Sequence, residues 1–232
     1  MGKPLSFVFL FLLRCCFMSS LAWPEKNITT DQYALLALKS SITSDPYDFL
    51  AKCSPSSSPC TWVGVACNTR HGRVHSLNLN GMGLKGTISP QLGNLSFVVE
   101  LDLGDNNLYG QIPKELVRLG RLKLLNLSYN DFHGEVRWIG YLSSLEQLHL
   151  QNNSFNGFIP LSLLNLSRLE TLDWNFNFLE GTIPSEVGGL QRLKTLRLAS
   201  NKLSGAILRT ISNLSSLELL NLSYNALSGM FR

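Results

Sequence analysis

The stretch from Leu122 to Phe132, LKLLNLSYNDF, has apolar residues at its first, fourth and sixth places (Leu122, Leu125, Leu127), an asparagine at Asn130 and Phe132 two residues on. The same spacing recurs in blocks that begin at Val74, Val98, Leu122, Leu145, Leu169, Leu193 and Leu217. The step between blocks is 24 residues, except for one step of 23 after Leu122. A fixed period of this length marks a solenoid. One such coil cannot bury its own leucines, so the coils stack and their leucines form a continuous core. The fourth and sixth places, such as Leu101 and Leu103 or Leu196 and Leu198, alternate with polar residues. They predict a short strand with one inward face, and hence a parallel sheet of stacked strands.

The rest of the block follows the same logic. Asn106, Asn130, Asn153, Asn177, Asn201 and Asn225 stand where the chain leaves the strand. Buried backbone there needs both donors and acceptors, and an amide side chain supplies both. Met82 takes this place in the first block, so the asparagine ladder is expected to begin one coil late. Every block then carries a glycine, from Gly86 to Gly229, which points to a tight bend or a close backbone approach. Two residues on stands an apolar residue (Ile88, Ile112, Val136, Ile159, Ile183, Ile207, Phe231), followed in three coils by Pro113, Pro160 and Pro184. Arg137 and Leu208 replace that proline, and those two coils are expected to be locally irregular.

With 44% hydrophobic and 16% charged residues, the chain has enough apolar content for a packed core. Residues 1–22 read as a secretory signal, with Lys3 at the start, an apolar stretch from Leu5 to Phe17 and Ser20-Leu21-Ala22 as cleavage site, placing the mature start near Trp23. A membrane anchor is disfavoured because Arg14 interrupts a stretch already shorter than the roughly 20 residues a spanning helix needs. Loss of Lys3 and Arg14 leaves 18 basic residues against 16 acidic ones, a net charge of +2 that gives no sign of a nucleic-acid partner. No second apolar run is long enough to span a bilayer. Cys15 and Cys16 leave with the signal; Cys53, Cys60 and Cys67 remain, an odd number for an oxidising compartment, so one thiol stays free or pairs elsewhere. Sequons at Asn27, Asn94, Asn126, Asn152, Asn165, Asn213 and Asn221 are candidate N-glycosylation sites.

The block pattern is that of leucine-rich repeats. LYGQIPKEL (108–116) and LEGTIPSEV (179–187) resemble the plant-specific class, and TTDQYALLALKSSI (29–42) with CTWVGVAC (60–67) is similar to the N-terminal cap of plant leucine-rich-repeat receptor kinases and receptor-like proteins. The resemblance covers residues 30–232 and implies an α/β solenoid: a right-handed superhelix with its parallel sheet on the concave face, behind a helical, disulfide-linked cap. It implies the Cys60–Cys67 bond, leaving Cys53 as the odd thiol. It also implies an ectodomain that perceives peptides or microbial molecules, with a co-receptor as a further partner, ahead of a membrane helix and often a kinase. Zinc at Cys60, Cys67, His71 and His75 is opposed by spacing and compartment. In the cap, Thr29 or Thr30 is expected to start a helix, with Gln32 at capping-box distance from Thr29 and Leu35, Leu38 and Ile42 as an apolar stripe lying on the first coil.

No catalytic constellation, metal set or cofactor motif stands out. His71, His75, His133 and His149 lie outside any hydrolase or zinc-protease motif and read as solvated surface residues. Asp102 and Asp173 occupy the same place three blocks apart, too far for a glycosidase pair, and also read as surface residues of the sheet. Binding is the use that remains. The outward column between the leucines reads Asn78, Asp102, Asn126, His149, Asp173, Arg197 and Asn221; a second reads Asp105, Tyr129, Asn152, Phe176, Ser200 and Tyr224. The candidate ligand surface is therefore Asp102, Asp105, Tyr129, His149, Asp173, Phe176, Arg197 and Tyr224, with the aromatics as anchors. Glycans at Asn126, Asn152 and Asn221 would obstruct it. Trp174 takes a sixth, inward place, and the expectation is a coil distorted by overpacking around an indole nitrogen that needs a partner.

These readings divide the chain into a signal at 1–22, a cap at 23–73 and seven repeats at 74–232, the last incomplete. Arg232 follows with no polar closing cap, so the expectation is the sensing part of a longer receptor, secreted or displayed at the cell surface. A free-standing extracellular inhibitor of pathogen wall-degrading enzymes is the alternative.

Overall fold

The computed structural model describes residues 27–207 and 209–229; the signal segment, Leu208 and Phe231 lie outside them. The strand motif forms one sheet, in which Leu219–Asn221, Thr195–Arg197, Thr171–Asp173, Gln147–His149, Leu124–Asn126, Glu100–Asp102, Val74–Asn78 and Val65–Cys67 are successive neighbours. All pairs are parallel except the last, where Val65–Cys67 runs antiparallel to the first repeat strand. The fourth-place residues Leu77, Leu101, Leu125, Leu148, Leu172, Leu196 and Leu220 stand in register from strand to strand, and the first six are fully buried.

The single sheet expected from the leucine alternation is only half of the architecture. A second eight-stranded sheet runs through the segments that follow the asparagine position, held by Met82 in the first coil: Lys85–Gly86, Asn107–Gly110, Asp131–Gly134, Ser154–Phe158, Phe178–Gly181, Lys202–Ala206 and Ala226–Ser228. The cap strand Ile42–Ser44 adds to it antiparallel. The glycine column serves this sheet. At Gly181, with φ +76°, an added Cβ would stand 2.4 Å from Phe158 Cδ1, so the missing side chain makes room for a ring from the preceding coil.

Between the sheets lies the asparagine ladder. Asn106 is the first rung, and its amide serves coil one: Oδ1 accepts from Leu84 N (2.9 Å) and Nδ2 donates to Leu79 O (2.8 Å). The ladder thus begins one coil late, as Met82 predicts. The outer wall of five coils is a five-residue 3-10 segment. In the coil of 23 residues it shrinks to Ile139–Tyr141, preceded by Trp138 in a helical conformation where other coils have an extended proline or serine. The irregularity expected beside Arg137 is therefore real. Leu208, where the second irregularity is expected, lies outside the described residues; the segment after it, Arg209–Asn213, has five residues.

The cap helix spans Ile28–Ser41, and Asn27, not Thr29 or Thr30, is its N-cap: Asn27 Oδ1 accepts from Thr29 N and Thr30 N. Asparagine is a strong N-cap because its carbonyl reaches the orphan amides of the first turn. Gln32 turns away from that role and donates to Ser57 O at 2.7 Å, tying the helix to the loop before the disulfide. Leu35 and Leu38 are buried as predicted; Ile42 lies beyond the helix in the added strand and is partly buried. Cys60 and Cys67 are bonded, and Cys53 is a free, buried thiol whose pKa burial pushes up.

Trp174 overturns the expectation of a distorted coil. It is 1% exposed and meets Phe155 edge-on, with 6.3 Å between ring centroids. Its strand keeps register on both sides, Leu172 pairing with Leu148 and Leu196. The strain of the misfit sits in hydrogen bonding instead: buried Nε1 finds no acceptor among the described residues. Trp174→Leu would remove that orphan, a gain of about 1 kcal/mol, and open a void beside Phe155 costing about 2–3 kcal/mol. The variant is expected to lose about 1–2 kcal/mol in urea unfolding even though it restores the common residue; a gain in stability would refute the packing account.

Candidate binding face on the first sheet

The outward column is assembled as the sequence predicts: Asn78, Asp102, Asn126, His149, Asp173, Arg197 and Asn221 pair strand to strand in one row. Asp102 and Asp173 are three strand spacings apart, about 14 Å, which rules out a glycosidase pair.

The row is a network more than a set of free side chains. Asp102 Oδ1 accepts from Gly104 N (3.0 Å), Asn80 Nδ2 (3.1 Å) and Asn126 Nδ2 (2.8 Å). A Cβ on Gly104 would stand 2.6 Å from Asn80 Nδ2 and 2.7 Å from Asn126 Nδ2, so the glycine lets the two amides converge on one carboxylate. Asp173 accepts from Asn175 N at Oδ1 (3.2 Å) and from Arg197 Nη1 at Oδ2 (3.1 Å). It is only 4% exposed, which corrects its reading as a surface residue: Arg197 is the charge this pair presents outward. The sequence reading missed Asn80, Gly104 and Asn175. Their repeat position, one beyond the inward sixth place, is the signal that could have found them.

His149 sits between these two acidic centres and is half-buried, not a solvated histidine. Burial pushes its pKa below the ordinary 6.5, with Arg197 adding to the push and Asp173 and Asp102 opposing it. The unfolded chain therefore binds this proton more readily than the folded one, and the stability held by neutral His149 is lost as pH falls below 6.5 through the folded value. Urea midpoints are expected to drop over that interval in the parent and to drop less in His149→Asn; identical pH profiles would sink the assignment.

The second column has a feature that the sequence does not show. Asp105, Tyr129, Asn152, Phe176, Ser200 and Tyr224 all have φ between +50° and +54°. A non-glycine residue there costs about 1 kcal/mol or more, and the repetition in every coil makes the turn architectural. It fixes the backbone from which Tyr129 (54% exposed), Phe176 (55%) and Tyr224 (84%) project. Tyr129 and Asn152 also line a groove with Lys85, Asn107, Tyr109 and Asp131 at the passage between the sheets. Among the described residues no group of three or more His, Cys, Asp or Glu is placed to hold a metal ion, and no helix is long and apolar enough to cross a membrane.

Comparison with known proteins places this geometry. Residues 28–68 match the leucine rich repeat N-terminal domain, and residues 97–119, 144–166 and 167–227 match leucine rich repeat models. The LRR receptor-like serine/threonine-protein kinase EFR of Arabidopsis thaliana is 42% identical over 113 residues, 48% of this chain and 11% of that protein. The chain thus spans about a tenth of the length of the curated relatives it first matches. The Arabidopsis receptor kinase HAESA, solved with the peptide hormone IDA and the co-receptor SERK1, aligns at a TM-score of 0.69 and 31% identity over 85% of this chain and 38% of that one. The BIR2 ectodomain from Arabidopsis thaliana aligns at 0.59 and 33% identity, over 86% of this chain and 94% of that one. With its cap, two sheets and asparagine ladder, the chain belongs to the plant leucine-rich-repeat receptor ectodomains.

Proposed function

We propose that the chain is the ligand-recognising part of a plant cell-surface receptor, exported by residues 1–22, and that its ligand is a peptide lying across the first sheet. The observation that carries the reading is the in-register row from Asn78 to Asn221. It sets a fixed carboxylate at Asp102 and an outward guanidinium at Arg197 on one rigid face, flanked by the projecting rings of Tyr129 and Phe176. A peptide offers both charges and apolar side chains to such a face, and aromatic and arginine side chains dominate binding energy. HAESA, a relative in fold, is solved with a peptide hormone and a co-receptor; a co-receptor is the second partner proposed for this chain.

The test is photo-crosslinking of the secreted glycoprotein to the peptide fraction of plant extracellular fluid. Loss of capture in Phe176→Ala and Arg197→Ala, about tenfold or more for about 1.4 kcal/mol each, supports the reading. Capture that is indifferent to both substitutions overturns the site.

A further inference from the structure

The tripeptide Asn-Leu-Ser occurs five times, at Asn94, Asn126, Asn165, Asn213 and Asn221, so local sequence cannot distinguish these sequons. The fold separates them into two settings. Asn94, Asn165 and Asn213 each end a five-residue 3-10 segment, Pro90–Asn94, Leu161–Asn165 and Arg209–Asn213, and so stand in one column on the outer wall. The leucine that follows each is buried, which turns the asparagine away from the core; Asn165 and Asn213 are exposed and Asn94 partly so. None of the three side-chain amides has a hydrogen-bond partner among the described residues.

Asn126 is in the other setting. Its Nδ2 donates to Asp102 Oδ1 at 2.8 Å, and its Oδ1 accepts from Ser128 N (3.0 Å) and Ser128 Oγ (2.6 Å). Ser128 is buried, and Asp102 and His149 flank Asn126 in register, about 4.8 Å away on each side. A chain that gained a glycan here would fold only by giving up or crowding the contact that helps fix Asp102, whereas glycans on the outer column break no side-chain hydrogen bond among the described residues. Asn221 shares the serine contacts but has no bond to a carboxylate.

We propose that the protein is glycosylated asymmetrically: Asn94, Asn165 and Asn213 carry N-linked glycans in a row along the outer wall, and Asn126 stays bare, leaving the first sheet open around Asp102 and His149. At each occupied site Nδ2 bonds to C1 of an oligosaccharide carried on a polyprenyl pyrophosphate. The C1–O bond to the pyrophosphate breaks, the lipid pyrophosphate leaves, and Nδ2 gives up one proton. The inference rests on the secretion reading above, and it removes the conflict between sequon and binding face at Asn126, the position beside Asp102.

Site-resolved glycopeptide mass spectrometry of the full chain secreted from plant cells tests it, with the gel mobility of single Asn→Gln variants as a second readout. The expected result is occupancy near completion at Asn94, Asn165 and Asn213 and at least tenfold lower at Asn126. Each outer-column variant should lose one glycan's mobility, and Asn126→Gln none. Occupancy of Asn126 matching the outer column, or an empty outer site, overturns the proposal while leaving secretion intact. A secreted chain with no glycan at any sequon also overturns it, and failure of the chain to enter the secretory route overturns the secretion reading with it.

Discussion

Replacing Asp31 by alanine is expected to cost about 3–5 kcal/mol, enough to unfold the cap at ordinary temperatures. Asp31 is fully buried under the cap helix and accepts two bonds from Arg73, from Nε to Oδ2 at 2.7 Å and from Nη2 to Oδ1 at 2.6 Å. Its Oδ2 also accepts from Val74 N at 3.0 Å. A single aspartate thus joins the helix to the arginine just before the first repeat strand and to that strand's first amide. Two charges taken out of water gain little over a well-packed apolar pair, but removing one of them leaves a buried charge without its counterpart. The alanine variant takes away the acceptor of Arg73 Nε and Nη2 and of the Val74 amide, all three of them buried bonds. Asp31→Leu with Arg73→Met is therefore expected to recover most of the loss. In a solenoid each coil is held by its neighbours, so hydrogen exchange in the single variant should rise first in the cap helix and the first coil. A loss below about 1 kcal/mol, or a double variant as unstable as the single, would show that the pair is not what holds the cap.

This contact also shows where sequence reading stops. The repeat period, the inward leucines, the outward row and the one-coil delay of the ladder follow from spacing alone, because each coil repeats the same local solution. Asp31 and Arg73 are 42 residues apart and occur once, so no periodicity marks them. The second sheet escaped for a different reason: its strands carry glycines and exposed residues such as Asn107, His133 and Glu180, with no apolar alternation to reveal them. The volume of its own coil does not show that Trp174 fits, because the room it uses lies against Phe155 of the coil before. In the binding face the columns were legible, but the burial of Asp173 and the convergence of Asn80 and Asn126 on Asp102 depend on side chains from adjacent coils meeting.

The ladder gives the other large expected effect, and it separates shape from hydrogen bonding. Asn153 is buried; its Oδ1 accepts from Phe132 N at 3.0 Å, and its Nδ2 donates to Leu127 O (2.9 Å), Leu150 O (3.2 Å) and Gln151 O (3.3 Å). The rungs overlap: Leu127 O also accepts from Asn130 and Leu150 O from Asn177, so each of these carbonyls is held by its own coil's asparagine and the next one's. Asn153→Ala leaves the Phe132 amide without its acceptor and weakens three carbonyls, for an expected loss of about 2–4 kcal/mol. Asn153→Asp keeps the shape and keeps an acceptor for Phe132 N, so by packing alone it should be the milder change. It is expected to be the worse one near neutral pH. Its carboxylate would face the same three carbonyl oxygens with no donor left, and a buried charge in that setting costs more than a lost amide. Acidification supplies one proton to donate, so the gap between Asp and Ala should narrow as pH falls, read as urea midpoints at pH 7 and at pH 4 against the parent. An aspartate variant as stable as the parent at pH 7 would mean that the asparagine column fills space and does not bond the coils together.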